Sequence, residues 1–379
     1  MNSVISVEIQ KKGLILHSET EQFYFNYYWL RDNCASSFDD SLRERTFDIT
    51  SLINPPTAKS AGVSEDTLKI EWNEEDHCSV YSIEWLMQFK KAGKRSDPAA
   101  HSRTLWRANH SRHFQRFTHK DVLENMQSRT DWARALIEEG IAVITEMENS
   151  DISLTKLANC LGWVRPSVAG DYFDVRVHLD PVNLSFTAKA LEMHTDTPAE
   201  ELAPGIQFLH CRQNTVSGGE SLFLDGAAVA EDFRKQYPAE FKLLSNHEIP
   251  FYYDHDKFDW RAHQRVIELD RDGSVSGLTI SQHMADAFDL PQELLDSYYP
   301  AFCLFLSKVN DPLYINRFRM NAGECYVFDN HRIVHGREAY TAGSGERYLR
   351  GCYIDRGELR STYRTLVKNG FGKLNPTTA

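Results

Sequence analysis

Three His-x-Asp tripeptides in the sequence could each supply two ligands to a metal ion: His119–Asp121, His178–Asp180 and His194–Asp196. On a β-strand, residues i and i+2 project to the same side, so the imidazole and the carboxylate can reach one ion. Two imidazoles and one carboxylate on one face of a metal are the ligand set of non-haem iron oxygenases, which leaves three positions for a cosubstrate and O₂. Such a site needs one further histidine.

The three tripeptides differ in their surroundings. His119–Asp121 lies in the opening turn of a predicted helix, where residues i and i+2 point apart and the helix dipole explains an acidic residue. His178–Asp180 runs into Pro181 and is typical of a strand end or a turn. His194–Asp196 is followed by a predicted buried strand, and we therefore favour it as the metal-binding pair.

Two residues near the C-terminal end complete the predicted site. The segment around His335 can supply the second imidazole, and Arg347 follows twelve residues later, after a loop of the right length for a return strand. A guanidinium group can make two parallel hydrogen bonds to a carboxylate, which suits the distal end of 2-oxoglutarate. The alternatives are an ion pair of Arg347 with Glu346 or Glu338, and a core role for His335.

The composition indicates which kinds of molecule the protein is expected to bind. The formal net charge of −12 disfavours nucleic acid and anionic membranes, which reward clustered lysine and arginine, so we expect a small-molecule ligand. The N-terminal residues lack a charged region followed by an apolar run, and no segment reaches membrane-spanning length, which predicts a cytoplasmic protein. The seven cysteines are scattered and contain no Cys-x-x-Cys pair, which argues against disulfides and a paired-thiolate zinc site.

The pattern along the chain predicts a small β-rich N-terminal domain at 1–95, a polar surface linker at 96–118 and a larger domain at 119–379. In the larger domain, Thr118 is a candidate N-cap for a helix that ends at Gly140, and a second helix is predicted at Leu154–Leu161. Short β-type segments then dominate: Gly205–His210, Ser221–Leu224, His247–Tyr253, Val275–Ile280, Cys325–Phe328 and Tyr348–Ile354. The fold class is mainly β with flanking helices, as in an antiparallel barrel or sandwich.

Several motifs together resemble one family. Tyr28–Cys34 is similar to its N-terminal signature, Thr104–Trp106 to its linker, and His194–Asp196, Gly218–Ser221 and His335–Arg337 to its catalytic segments. On these residues the sequence resembles the γ-butyrobetaine hydroxylase and trimethyllysine hydroxylase family, relatives of the taurine dioxygenase group. The likeness spans nearly the whole chain.

The resemblance implies a hydroxylase that depends on Fe(II) and 2-oxoglutarate. It implies a double-stranded β-helix (jelly-roll) catalytic domain and a small N-terminal domain that helps to form a homodimer. His194, Asp196 and His335 would bind the iron, and Arg347 would bind the 2-oxoglutarate carboxylate. Ser221 stands where the wider superfamily often has a threonine that donates to the same carboxylate.

Two departures from the family bear on zinc and on the substrate. The positions that match the family's structural zinc ligands are Cys34, Ser36, Asp39 and His77, and the loss of two thiolates predicts no tightly held zinc. Where relatives surround a trimethylammonium group with tyrosine and tryptophan, this sequence has Ala169, Phe173 and Phe186. Core packing is the alternative role of these phenylalanines.

At the substrate's anionic end, Asn183 matches a family position, Ser281 replaces a second asparagine, and Tyr353 is a further candidate for the pocket wall. We therefore expect a small, betaine-like substrate, with a trimethylammonio-phosphonate or a non-quaternary amine as alternatives. A non-catalytic dimeric binding protein of the same fold is a rival from another class. Zinc hydrolase chemistry would need a general base beside the metal, for which Glu192 is poorly placed. Halogenation is disfavoured because Asp196 fills the coordination position that chloride would need.

Overall fold

The computed structural model describes residues 4–73, 77–90, 97–176, 187–255 and 258–370. By its internal contacts the chain divides between Asp97 and Pro98 into two compact units. Each unit has its own apolar core. The substrate candidates Asn183 and Phe186, like the tripeptide His178–Asp180, lie outside the described residues.

The first unit contains two three-stranded antiparallel sheets and two short helices. Its elements are β1 Val4–Ile9, β2 Gly13–Ser18, β3 Gln22–Asn26, α1 Tyr27–Asp32, β4 Ala58–Ser64, β5 Thr67–Trp72, β6 Cys78–Ser82 and α2 Ile83–Met87. Alternate residues of β3 and β5 are buried, as expected for strands with one face on a core. The Tyr81 hydroxyl donates to the Leu30 carbonyl and joins the second sheet to α1.

The second unit begins with helices and continues mainly with strands. Its elements are β7 Arg116–Thr118, α3 His119–Glu124, α4 Met126–Glu139, β8 Ile141–Thr145, α5 Asp151–Asn159, β9 Phe173–Val175, β10 Leu191–His194, β11 Ile206–Asn214, β12 Ser221–Asp225, α6 Gly226–Gln236, α7 Pro238–Asn246, β13 Glu248–His255, β14 Phe258–Arg265, β15 Ile267–Leu269, β16 Val275–Leu278, α8 Gln292–Val309, β17 Asn316–Phe318, β18 Cys325–Asp329, β19 Ile333–Arg337, β20 Arg347–Ile354 and α9 Arg356–Gly370. None of the helices in the described ranges is long and apolar enough to span a membrane.

Two sheets dominate the second unit. One has the strand order β10-β19-β12-β17, and the other has the order β7-β8-β18-β11-β20-β9. Leu209 and Leu349 of the six-stranded sheet share a core cluster with Phe223 and Ile333 of the four-stranded sheet. Helices α4, α5 and α9 contribute to a second cluster with residues of the six-stranded sheet. The β-rich character predicted from the sequence is therefore confirmed.

Local signals fixed several boundaries. The Thr118 hydroxyl accepts from the Asp121 amide and caps α3, while Gly140 ends α4 in the left-handed conformation at φ 80°. Each of the six β-type segments predicted in the larger domain overlaps a strand. The two helix ends and the strand predictions are confirmed. The single helix predicted between Thr118 and Gly140 is instead two helices, because Asn125 has an extended backbone that ends α3 and caps α4.

The segment that we expected to be a surface linker differs. The contact boundary places residues after Asp97 in the second unit, where Trp106 and Phe114 are 3% exposed. The Trp106 amide donates to Asp225 at 3.2 Å, and Arg332 donates to the Thr104 carbonyl at 2.7 Å. The polar composition concealed this packing, because main-chain groups and two aromatic side chains make the contacts.

Candidate active site

The two histidines of the predicted metal site face each other across a pair of strands. His194 ends β10 and is paired in antiparallel register with His335 of β19. Their ring centroids are 4.4 Å apart. Asp196 follows two residues later, and its Oδ1 lies 3.1 Å from Nε2 of His194 and 3.5 Å from Nε2 of His335.

These three side chains form a cluster whose donor atoms lie within 4.8 Å of one another. Two imidazole nitrogens and one carboxylate oxygen match the donor set of a non-haem iron site. Nδ1 of His194 lies 2.7 Å from the Glu192 carbonyl, a contact that leaves Nε2 for the metal. The arrangement therefore fits a divalent iron ion.

The turn between His194 and Asp196 is fixed by hydrogen bonds to two distant segments. Thr195 exchanges hydrogen bonds with Ile280: its amide donates to the Ile280 carbonyl at 2.6 Å, and its hydroxyl accepts from the Ile280 amide at 3.0 Å. The buried Asn330 accepts from the Asp196 amide at 2.8 Å and donates to the Asp196 carbonyl at 3.2 Å. These contacts set the Asp196 backbone before any metal binds.

The electrostatics of the cluster favour an ionised carboxylate. Burial raises the pKa of Asp196, but the imidazoles of His335 and His194 outweigh burial and hold this pKa well below its usual range. Burial lowers the pKa of His335, which favours the neutral imidazole that a metal requires.

A cavity of about 420 Å³ opens beside the cluster. Arg347, Ser221 and Arg337 line the same cavity as the three candidate ligands. This volume is within the range of small-ligand sites, roughly 300–1,000 Å³. One small molecule can therefore reach both the metal cluster and the arginines.

Arg347 is suited to an anionic cosubstrate. Its side chain is buried, and its Nε has no hydrogen-bond partner in the part of the chain that the structure describes. Among the described residues it forms no ion pair with an acidic group, so the predicted alternatives, Glu346 and Glu338, do not neutralise it; Glu338 instead pairs with Arg317 at 2.6 Å. Burial, with the nearby charge of Arg337, lowers the pKa of Arg347 to about 10. A carboxylate that bound here would supply the missing partner.

The predicted substrate residues that the structure describes also line this cavity. Phe173 and Tyr353 stack on each other with their centroids 5.0 Å apart. Ser281 is buried beside His283, at 3.5 Å from its Nδ1. Ala169 lies in the same wall.

Several side chains of the cavity wall were missed by the sequence analysis, among them Tyr253, His255, Phe258 and His283. Tyr253, His255 and Phe258 come from the β13–β14 hairpin, and their rings form one cluster, with Tyr253 at 5.1 Å and His255 at 5.3 Å from Phe258. His283 lies with its ring 5.3 Å from His194, and burial lowers its pKa to about 4. No local motif marks these residues, because only the folded chain brings the hairpin to the cavity.

The remaining candidates lie elsewhere. His119 begins α3, away from the cavity, and its Nε2 lies 3.2 Å from the Ser153 carbonyl. Glu192 is exposed and does not line the cavity, so it is not placed as a general base. In the first unit, the Cys34 thiol lies 3.2 Å from the Ser36 hydroxyl, Asp39 caps a turn, and His77 contacts Ser79 at 3.3 Å.

The β-rich unit, the His-Asp-His cluster and the unpartnered arginine in one cavity define the class of iron(II)- and 2-oxoglutarate-dependent dioxygenases. Comparison with known proteins agrees: residues 111–353 match the model of the taurine catabolism dioxygenase TauD, TfdA family. The chain belongs to this family, and it is an Fe(II)- and 2-oxoglutarate-dependent enzyme.

The chain is also similar to individual dioxygenases of known substrate. The chain is 31% identical over 352 residues to the gamma-butyrobetaine dioxygenase of Pseudomonas sp. (strain AK-1), with 91% of each chain covered. It is 30% identical to the human gamma-butyrobetaine dioxygenase, with 94% of this chain and 95% of the relative covered. The mitochondrial trimethyllysine dioxygenase of Gallus gallus is 26% identical over 354 residues, which cover 90% of this chain and 83% of the relative. The resemblance inferred from the motifs is confirmed.

A solved structure shares the fold. A candidate alpha-ketoglutarate-dependent taurine dioxygenase from Burkholderia xenovorans superposes with a TM-score of 0.50 at 13% identity and covers 67% of this chain and 92% of its own.

Proposed function

We propose that this enzyme hydroxylates an unactivated C–H bond of a small, zwitterionic, betaine-like molecule such as γ-butyrobetaine or an analogue. The observation that carries the proposal is the single cavity that joins His194, Asp196 and His335 to the buried Arg347. Relatives that act on γ-butyrobetaine align over nearly the whole chain, which supports the substrate class.

In this proposal, His194, Asp196 and His335 hold Fe(II), and Arg347 anchors the distal carboxylate of 2-oxoglutarate with two parallel hydrogen bonds. The Ser221 hydroxyl lines the same cavity and donates to that carboxylate. When bound, iron with 2-oxoglutarate and O₂ supplies the oxidising power, and 2-oxoglutarate leaves as succinate and CO₂. The protein binds and orients the reactants and excludes water, and no side chain needs to act as a general base.

The substrate would lie against the aromatic wall. Phe173 and the hairpin residues Tyr253 and Phe258 offer ring faces to a quaternary ammonium group, which cannot hydrogen-bond but is attracted to aromatic rings. Ser281 adds a hydroxyl to the same cavity. We extend the proposal to Asn183 and Phe186 on the resemblance alone.

Three further parts of the proposal rest on the family. The two sheets of the second unit would form a double-stranded β-helix. The first unit would be a small N-terminal domain that helps to form a homodimer. It would hold its shape through packing rather than zinc.

The test is succinate formation by the anaerobically iron-loaded enzyme, started with O₂ and 2-oxoglutarate. The panel contains γ-butyrobetaine, trimethyllysine, trimethylammonioethylphosphonate and unmethylated amine analogues. We expect a quaternary amine to stimulate turnover most strongly. Stimulation by an unmethylated analogue alone would overturn the betaine assignment but leave the oxygenase class intact.

A further inference from the structure

The carboxylate of Asp196 is held by a residue that the sequence placed in the substrate wall. Its Oδ1 faces both histidines, whereas its Oδ2 accepts a hydrogen bond of 2.6 Å from the Tyr353 hydroxyl. The two oxygens therefore have separate partners. The hydrogen bonds of Asn330 to Asp196 go to its main chain and not to its carboxylate, so they do not set the rotation of the carboxylate.

The Tyr353 ring has little freedom to move. Its residue lies within β20, where it pairs with Gln207, and its carbonyl accepts from the Arg165 amide at 2.8 Å. Phe173 stacks on the ring, and it occupies the space that a Cβ on Gly351 would fill. Tyr353 is 5% exposed and lines the cavity, and its hydroxyl is engaged by Asp196.

From this geometry we infer that Tyr353 is a positioning residue for the metal site: its hydroxyl holds Asp196 so that only Oδ1 is presented to the metal. The inference rests on the proposed iron site. A carboxylate that binds through one oxygen leaves three positions of an octahedral ion open, as 2-oxoglutarate and O₂ require, whereas binding through both oxygens would fill one of them. Hydrogen bonds to metal-binding carboxylates orient the ligand, and their loss typically weakens metal affinity about 10- to 100-fold.

The aromatic pair of Phe173 and Tyr353 then serves the metal site. Phe173 matches a position where relatives bind a cation, and Tyr353 was a candidate for the pocket wall, but here one ring covers a face of the other and the Tyr353 hydroxyl is engaged. Their contribution to the metal ligand is then distinct from substrate recognition, and the two roles can be separated by measurement.

The experiment compares Tyr353→Phe with the wild-type protein in anaerobic Co(II) titrations with a competing chelator. We expect the dissociation constant for Co(II) to rise about 10- to 100-fold. The visible absorption of bound Co(II), which depends on its coordination number, should also change. The matched control is Tyr172→Phe, which removes another hydroxyl from the cavity wall; that hydroxyl contacts Thr155 at 2.8 Å, and its loss should alter neither reading.

A second variant tests whether the stacked ring helps to hold the hydroxyl in place. Phe173→Ala keeps the Tyr353 hydroxyl but removes the ring stacked on it, and we expect a smaller loss of Co(II) affinity. If Tyr353→Phe retains wild-type affinity and spectrum while the KM of the amine substrate rises, Tyr353 contacts substrate and the inference is overturned. If the wild-type protein itself binds neither Co(II) nor Fe(II), the proposed function fails instead.

Discussion

Replacing Arg347 with leucine should abolish tight 2-oxoglutarate binding without destabilising the ligand-free protein. Arg347 is 8% exposed and its pKa is lowered to about 10 by burial and by Arg337. Compared with 12.5, this pKa corresponds to a penalty of about 3 kcal/mol for the charged form in the folded state. The penalty is present at every pH below about 10 and is relieved only as the pH rises above that value.

The leucine variant removes this penalty, so the free energy of unfolding of the ligand-free protein should stay the same or rise by up to about 3 kcal/mol. The effect on the cosubstrate is opposite. Loss of one partner from a buried, hydrogen-bonded charge pair costs about 2–5 kcal/mol, which is about 30-fold to several thousand-fold in affinity. Function and stability should therefore respond in opposite directions to one substitution.

The assay combines urea unfolding of the metal-free protein with anaerobic titration of the Fe(II) form by 2-oxoglutarate. Arg347→Lys keeps a positive charge but loses the planar guanidinium that can make two parallel hydrogen bonds. The affinity of this variant for 2-oxoglutarate should therefore lie between those of the wild-type protein and the leucine variant. Arg317→Leu is the matched control on β17, because this arginine is exposed and pairs with Glu338; it should change neither measurement. A leucine variant that unfolds more easily and still binds 2-oxoglutarate tightly would refute the reasoning.

Three further predictions concern other parts of the site. Ser221→Ala should raise the KM for 2-oxoglutarate about 10- to 100-fold, because one hydrogen bond to a charged group is worth about 1.5–3 kcal/mol; an unchanged KM would remove Ser221 from the cosubstrate site. Phe258→Ala should raise the KM for a quaternary amine about 5- to 30-fold, from about 1–2 kcal/mol of cation–π attraction, with 2-oxoglutarate affinity as the internal control; equal losses for both ligands would contradict a substrate role. Arg332→Met should lower the free energy of unfolding by about 3–5 kcal/mol, since Asp225 would be left buried without its partner; urea unfolding beside Arg317→Leu measures this, and a loss as small as that of the control would count against it.

The parts of the fold that the sequence predicted are those with local signals. The Thr118 cap and the Gly140 terminator specify their helix boundaries through hydrogen bonds and a left-handed backbone within a few residues. Short runs of β-branched and aromatic residues marked strands such as β11 and β18. Such signals depend little on the rest of the chain.

Other elements were hidden because their determinants are not local. Helix α8 contains Pro300 in its interior, which interrupts the sequence pattern, yet Tyr298, Phe302 and Phe305 on its buried face pack into a core cluster. Packing there outweighs the lost hydrogen bond of the proline. Trp106 is likewise buried inside a stretch whose polar composition indicated a linker.

The residues of the candidate site likewise include some that the sequence predicted and some that it did not. The metal cluster and Arg347 were predicted because their residue types are chemically specific and their order along the chain is constrained. Tyr253 and Phe258 were not predicted, because aromatic residues in a hairpin are usually core residues and nothing in their neighbours points to a cavity. The hydroxyl of Tyr353 was assigned to the substrate wall, since its contact with Asp196 depends on the pairing of β20 with β11.

The pairing of His194 with His335 has a consequence for the newly made polypeptide. β10 and β19 are neighbours in the sheet, but most of the strands and helices of the second unit that follow β10 lie between them in the chain. On the ribosome, a nascent chain that has exposed His194 and Asp196 still lacks the third ligand until nearly all of this unit has been translated. The three-ligand site can therefore bind iron only after β19 has been synthesised. A message truncated before Ile333 yields a product that cannot assemble this site.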